Sequence, residues 1–200
     1  SDITARKNDH IEIVLNKDVG FPDLASGFGA YRFEHVALPE LALGDISLET
    51  GFLGRTLALP FLISSMTGGP ARAEQINLNL AEAAAELGIA FAVGSQRVAL
   101  ENGGAGGLDR HLREKAGKVP LLANLGAAQI RGPDGAELAR RAVHMIEADA
   151  LYIHLNPLQE AVQAGGDTDW SGVLAAIEAI ARSGVTVAVK EVGFGLSGRG

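Results

Sequence analysis

The sequence predicts an α/β protein, a TIM (β/α)8 barrel with only about five βα units in its 200 residues. Three observations carry that prediction. Short apolar, β-branched or aromatic runs recur about every 30 residues, the length of one strand-plus-helix unit. These runs are continuous rather than alternating, so both faces of each strand are buried, as in a parallel sheet covered by helices. Helical periodicity fills the intervals between them. Repetition of a single βα unit favours a barrel over an open doubly wound sheet.

In chain order, residues 1–55 form a leader expected to be irregular, with turn signals at Gly20-Phe21-Pro22 and Gly27-Phe28-Gly29. The partial barrel occupies residues 56–200. Its strands are expected at Pro60–Ile63, Ile89–Val93, Pro120–Ala123, Ala150–Ile153 and Val185–Val189. A first helix carries Leu78, Ala81 and Ala85 and closes at Gly88. Asp134 is expected to cap a second, whose apolar face holds Leu138, Val143 and Ile146. A third should follow Asp169, with Val173, Leu174, Ile177 and Ile180 on one stripe and Gly184 at its end. A closed barrel needs eight strands. The chain therefore reads as a fragment, or as one that has lost its C-terminal units, with 195–200 a severed loop.

Composition narrows the function. With 47% hydrophobic residues, 26 glycines and a mean hydropathy of +0.16, the chain has ample material for a core. The absence of cysteine removes disulfides, thiolate metal sites and Cys nucleophiles, and suits a cytoplasmic location. A net charge of -7 argues against nucleic acid as a partner. No apolar stretch approaches the ~20 residues that span a bilayer, so no membrane partner is expected. His35, His111 and His144 lack metal-ligand spacing, and the glycine-rich 101–107 stretch lacks the Lys-Ser/Thr of a phosphate loop and reads as a connection.

In barrels the chemistry sits where strands end. Ser64-Ser65-Met66-Thr67-Gly68-Gly69 follows the first strand, small residues that let a planar or phosphorylated ligand approach the backbone. Gly94-Ser95-Gln96-Arg97 follows the second, with a guanidinium suited to an anion. The third offers Asn124-Leu125-Gly126, an amide that can donate to and accept from a heterocycle edge. The fourth opens on His154-Leu155-Asn156-Pro157-Leu158-Gln159-Glu160, the densest polar segment of the chain, and the fifth on Lys190-Glu191-Val192-Gly193-Phe194-Gly195. A plain turn, a surface ion pair or a Lys190–Glu191 pair would explain any one exit. Five coincident exits favour one site. Arg6, Lys7 and His10 add a cationic leader, either a solvated tail or a clamp on phosphate.

Taken in order, these segments resemble type 2 isopentenyl-diphosphate isomerase, an FMN-dependent barrel enzyme of isoprenoid biosynthesis, from Arg6 to about Gly195. The resemblance implies that Ser65, Met66, Thr67, Ser95, Asn124 and Lys190 hold FMN. It implies that Arg6, Lys7, His10, Ser95, Gln96, Arg97, His154, Asn156 and Gln159 meet a small-molecule diphosphate. Glu160 would ligate Mg²⁺, and Gln159 and His154 would be the catalytic pair. NADPH as reductant and a homo-oligomer, tetramer or octamer, follow from the same resemblance. The family holds the flavin phosphate mainly through loops after the last strands, beyond this chain. Two alternatives stay open: another FMN-dependent barrel oxidoreductase, and a non-catalytic fragment that binds phosphorylated ligands.

Overall fold

The computed structural model describes residues 12–20, 23, 25–65, 71–101 and 106–198. Its centre is a five-stranded parallel sheet of β3 (Leu62–Ile63), β4 (Ala90–Ala92), β5 (Leu121–Gly126), β6 (Ala150–Leu155) and β7 (Val187–Glu191), in the order β3-β4-β5-β6-β7. Each strand lies beside its predecessor. A doubly wound sheet reverses direction part-way, so this unreversed order is that of a barrel wall and bears out the predicted class. The continuous apolar runs are the reason the sheet can be covered on both sides: all six residues of β5 and all three of β4 are buried.

The two faces have different partners. Phe91, Leu121, Ala123, Leu125, Leu151 and Ile153 point outward into the main core. Opposite them lie α1 (Ala71–Leu87), α4 (Gly135–Met145) and α6 (Val173–Arg182), which contribute Ala81, Ala84, Ala139, Ala142 and Ile180. Alternate residues Ala92, Leu122 and Ala150 form a smaller inner cluster with Leu62, Tyr152, Phe52 and Leu53.

Phe52 and Leu53 belong to an antiparallel hairpin, β1 (Thr50–Phe52) with β2 (Arg55–Leu57), where the sequence led us to expect irregular chain up to residue 55. Leu53 and Gly54 both have positive φ, 50° and 73°, as a type I′ turn requires. Leucine rarely takes that position, which hides the hairpin from a sequence reading. The hairpin closes the N-terminal end of the sheet. Ala58 N–H donates to Gly88 O (2.9 Å), and Arg55 donates to Lys118 O (2.8 Å) and to the Asp149 carboxylate, all three acceptors lying just before strands.

Asp149 also accepts from Leu121 N–H (2.9 Å) and Arg113 Nη2 (2.7 Å). Burial alone would raise its pKa, but the Leu121 N–H and the two guanidiniums outweigh that and hold the carboxyl below its ordinary value.

Helices depart from expectation at their starts. Asp134 occupies the N-cap position of α4 but makes no capping bond. The start is instead set by Gly135, where a Cβ would stand 1.9 Å from Ile130 O, so only glycine admits the approach. Nor does Asp169 cap α6, whose N-cap is Gly172; the carboxylate accepts from Ser171 N–H (3.0 Å) and Oγ (2.7 Å) in a local turn. Leu174 is 71% exposed, because Val173, Ile177 and Ile180 follow i, i+4, i+7 and Leu174 lies a third of a turn away. Short helices α2 (Arg97–Glu101), α3 (Arg110–Ala116) and α5 (Pro157–Val162), with a 3-10 turn at Ala127–Ile130, complete the structure. Among the described residues, no helix is long and apolar enough to cross a membrane.

Candidate active site

The C-terminal ends of β5, β6 and β7 place their inward residues in layers. Gly126, His154 and Lys190 are register neighbours, and beneath them lie Asn124, Tyr152 and Ala188. His154 Nδ1 is 2.8 Å from Asn124 Oδ1. With the amide oxygen accepting, the imidazole carries its proton on Nδ1 and Nε2 becomes the acceptor. A Cβ at position 126 would lie 3.0 Å from His154 Nε2 and 3.2 Å from Gln129 Cδ. Glycine there makes room for the ring.

Asn124 is fixed from behind by Gln96. The two exchange Gln96 N–H to Asn124 O and Asn124 N–H to Gln96 Oε1, both 2.9 Å, and Gln96 Nε2 donates to Ala142 O of α4 at 2.9 Å. Gln96 is fully buried with both amide atoms engaged. It faces the helical layer, not the mouth, and reaches the site through Asn124.

Lys190 is half-buried, and among the described residues it has no hydrogen bond or ion pair. Burial depresses its pKa, with the nearby Glu191 charge opposing. Glu191 does not pair with it, because Oε2 accepts from the N–H groups of Gly193 (2.6 Å), Phe194 (2.6 Å) and Gly195 (3.0 Å). Burial would push that carboxyl up, and the loop N–H groups hold it down instead. At the exit of β3, Ser65 Oγ is buried without a partner among the described residues. A hydroxyl without a partner among the described residues, a buried amide and a half-buried ammonium are groups whose chemistry suits the polar edge of a flavin. Ser95 is partly buried at the β4 exit. Met66, Thr67, Arg6, Lys7 and His10 lie outside the described residues.

After β6 the chain turns into α5 through Asn156, 6% exposed, and Pro157 at the first helical position. Asn156 Nδ2 donates to Glu160 Oε1 (2.8 Å) and Gln159 Oε1 (3.3 Å). Glu160 Oε2 accepts from Asp167 N–H (2.9 Å). The carboxylate is therefore held at both oxygens while each keeps a further lone pair, and it is a hard oxygen donor suited to Mg²⁺. No group of three metal-ligating side chains gathers among the described residues, so a cation here would take its other ligands from substrate and water. Arg97, at the start of α2, lies 3.4 Å from both Glu101 and Asp167 across a cleft of about 360 Å³ that Gln129 and Arg141 also line. Asp167, Asp169, Arg131 and Tyr152 are the site's neighbours that sequence reasoning missed.

The model of the FMN-dependent dehydrogenase family matches residues 2–103, just over half of the chain. The chain belongs to this family. Among curated relatives of this family member, it is 60% identical over 98% of its length to isopentenyl-diphosphate delta-isomerase of Stutzerimonas stutzeri, covering 57% of that protein. It is 59% identical to the isomerase of Cronobacter sakazakii, over 98% of the chain and 56% of the relative. To that of Synechocystis it is 50% identical, over 96% and 55%. The chain spans a little over half the length of these relatives.

Proposed function

We propose that the protein acts as an isopentenyl-diphosphate delta-isomerase of the FMN-dependent type 2 kind, interconverting isopentenyl and dimethylallyl diphosphate. The observation that carries this reading is the inventory of the β6 exit, His154, Asn156, Gln159 and Glu160, beside an unpaired Lys190, in a chain so close in sequence to proteins bearing that name. Reduced FMN, when bound, would supply the acid–base chemistry at the alkene.

The chain's own residues prepare that chemistry. Ser65, Ser95, Asn124 and Lys190, with Met66 and Thr67, would hold the flavin, the Lys190 ammonium offsetting negative charge on a reduced ring. Arg97 and Asn156, with Arg6, Lys7, His10 and Ser95, would bind the diphosphate, and Glu160 would bridge it through Mg²⁺. His154 presents an accepting Nε2 towards the site, and Gln159, a neutral amide, orients substrate but is a poor base. The same reading brings NADPH as reductant, a cytoplasmic location and a homo-oligomer of four or eight chains.

A second reading, oxidation of a hydroxy acid, is favoured by the family's dehydrogenase members. It calls for an imidazole base oriented by a carboxylate, whereas His154 Nδ1 meets the Asn124 amide oxygen. Proton NMR decides between them. With reduced FMN and Mg²⁺, isopentenyl diphosphate should lose its terminal methylene signals as dimethyl signals grow; bleaching of oxidised flavin by 2-hydroxy acids with no such conversion would replace the isomerase reading.

A further inference from the structure

Glu160 does not hold its position unaided. The segment that follows α5 folds back over it: Gly166 passes so close that a Cβ there would stand 2.0 Å from Glu160 O, and Asp167 N–H caps Glu160 Oε2. Two arginines from two other strand exits fasten this segment. Arg97, after β4, reaches the Asp167 carboxylate at 3.4 Å. Arg131, after β5, grips Asp169 twice, with Nη1 on the backbone oxygen and Nη2 on the carboxylate. Trp170 Nε1 donates to Asp167 O (2.9 Å) and shortens the loop between the two aspartates. Ser171, donating through Oγ and N–H, and after it Arg131 hold the Asp169 carboxyl down at a pKa of about 2.

We infer that residues 163–171 are a strap whose Arg131–Asp169 and Arg97–Asp167 fastenings position Glu160 for a divalent cation, making Asp167, Asp169 and Arg131 positioning residues. The inference rests on the metal role proposed for Glu160. Its physical basis is that a lone carboxylate binds a cation well only when it does not have to be ordered at the moment of binding. Asn156 fixes one oxygen from within α5. The other depends on a backbone N–H whose place is set by the strap. Of the two fastenings, that of Arg131 is the stronger, since it grips Asp169 through two nitrogens where Arg97 reaches Asp167 through one at 3.4 Å.

The test uses Mn²⁺ as probe, followed by electron paramagnetic resonance in the presence of inorganic pyrophosphate on the FMN-loaded whole protein. Asp169→Asn and Asp167→Asn should each weaken Mn²⁺ binding, about 10-fold for the former, the lower end of the range for outer-shell ligand partners. FMN affinity, read by fluorescence quenching, should stay unchanged, and kcat at saturating metal should stay within about 2-fold. Arg131→Lys, which keeps the charge and loses the two-pronged grip, gives the same answer should an aspartate variant fail to fold. Unaltered Mn²⁺ affinity in these variants, or a loss of FMN affinity in step with it, overturns the strap. If Glu160→Gln itself binds Mn²⁺ as the native protein does, the metal role falls, and the strap with it.

Discussion

Lys190 and Glu191 are adjacent opposite charges that do not pair. Glu191 is drawn to the N–H groups of Gly193, Phe194 and Gly195, and Lys190 is left half-buried without a direct ion pair among the described residues, the Glu191 charge only partly offsetting its burial. A lysine whose pKa is depressed by burial costs stability in full below its folded pKa; the cost falls as pH rises past that value and is gone above the ordinary lysine value. Lys190→Met should therefore stabilise the flavin-free protein slightly, by less than ~1 kcal/mol since the group is only half-buried. It should also weaken FMN binding about tenfold, ~1.4 kcal/mol. Thermal melts with and without FMN check both signs at once. Gly126→Ala should displace His154, because the new methyl would stand 3.0 Å from Nε2, and should lower kcat/KM with little change in FMN affinity by fluorescence titration. Gln159→Ala should keep metal and diphosphate affinity but lose rate, which steady-state kinetics would show as a fall in kcat at constant KM.

At the scale of elements, the N-terminal end of the sheet is locked by Asp149 between Arg113 and Arg55, with the first two side chains only 16% and 13% exposed. The Asp149 pKa is lowered on folding, so its stabilisation is complete above the ordinary aspartate value and is lost as pH falls through the folded one. Urea midpoints should drop on acidification below about pH 5 in the native protein and much less in Asp149→Ala, which itself should cost about 3 kcal/mol at neutral pH by leaving Arg113 buried without its partner. The strands and long helices were legible because each is a local pattern: a contiguous apolar run, or a 3.6-residue stripe. The hairpin at 50–57 was not, its strands being three residues each and its turn a Leu-Gly pair in place of Asn-Gly. Strand-exit residues such as Asn124, His154 and Lys190 could be found because a barrel assigns function to that address. Arg131 and Asp169 could not, because 38 residues of chain separate them and nothing local marks either as a partner. Gln96 was legible as polar at an exit but not as buried, since its direction is fixed by contact with α4.

At the scale of the molecule, β3 and β7 each have a free side among the described strands, and Phe33, Tyr31 and Phe28 are 103%, 80% and 78% exposed. Unpaired strand edges and exposed aromatics are sticky. The 200-residue polypeptide on its own should bind a hydrophobic dye, associate with concentration in sedimentation experiments and take up FMN poorly; tight stoichiometric FMN binding by a dye-negative monomer would contradict this. In the proposed function, the site uses a reduced flavin for proton transfer and not for net electron transfer. Substrate and product of an isomerase have the same oxidation level, so the reductant only primes the cofactor. The most direct measurement is the yield of dimethylallyl diphosphate per reducing equivalent, in the whole protein with FMN, Mg²⁺ and isopentenyl diphosphate, anaerobically, after dithionite or NADPH has reduced the flavin once. Many equivalents of product should form per flavin and none from the oxidised protein; product that stops at one equivalent of reductant, or equal turnover without reduction, would rule out proton transfer by the reduced flavin.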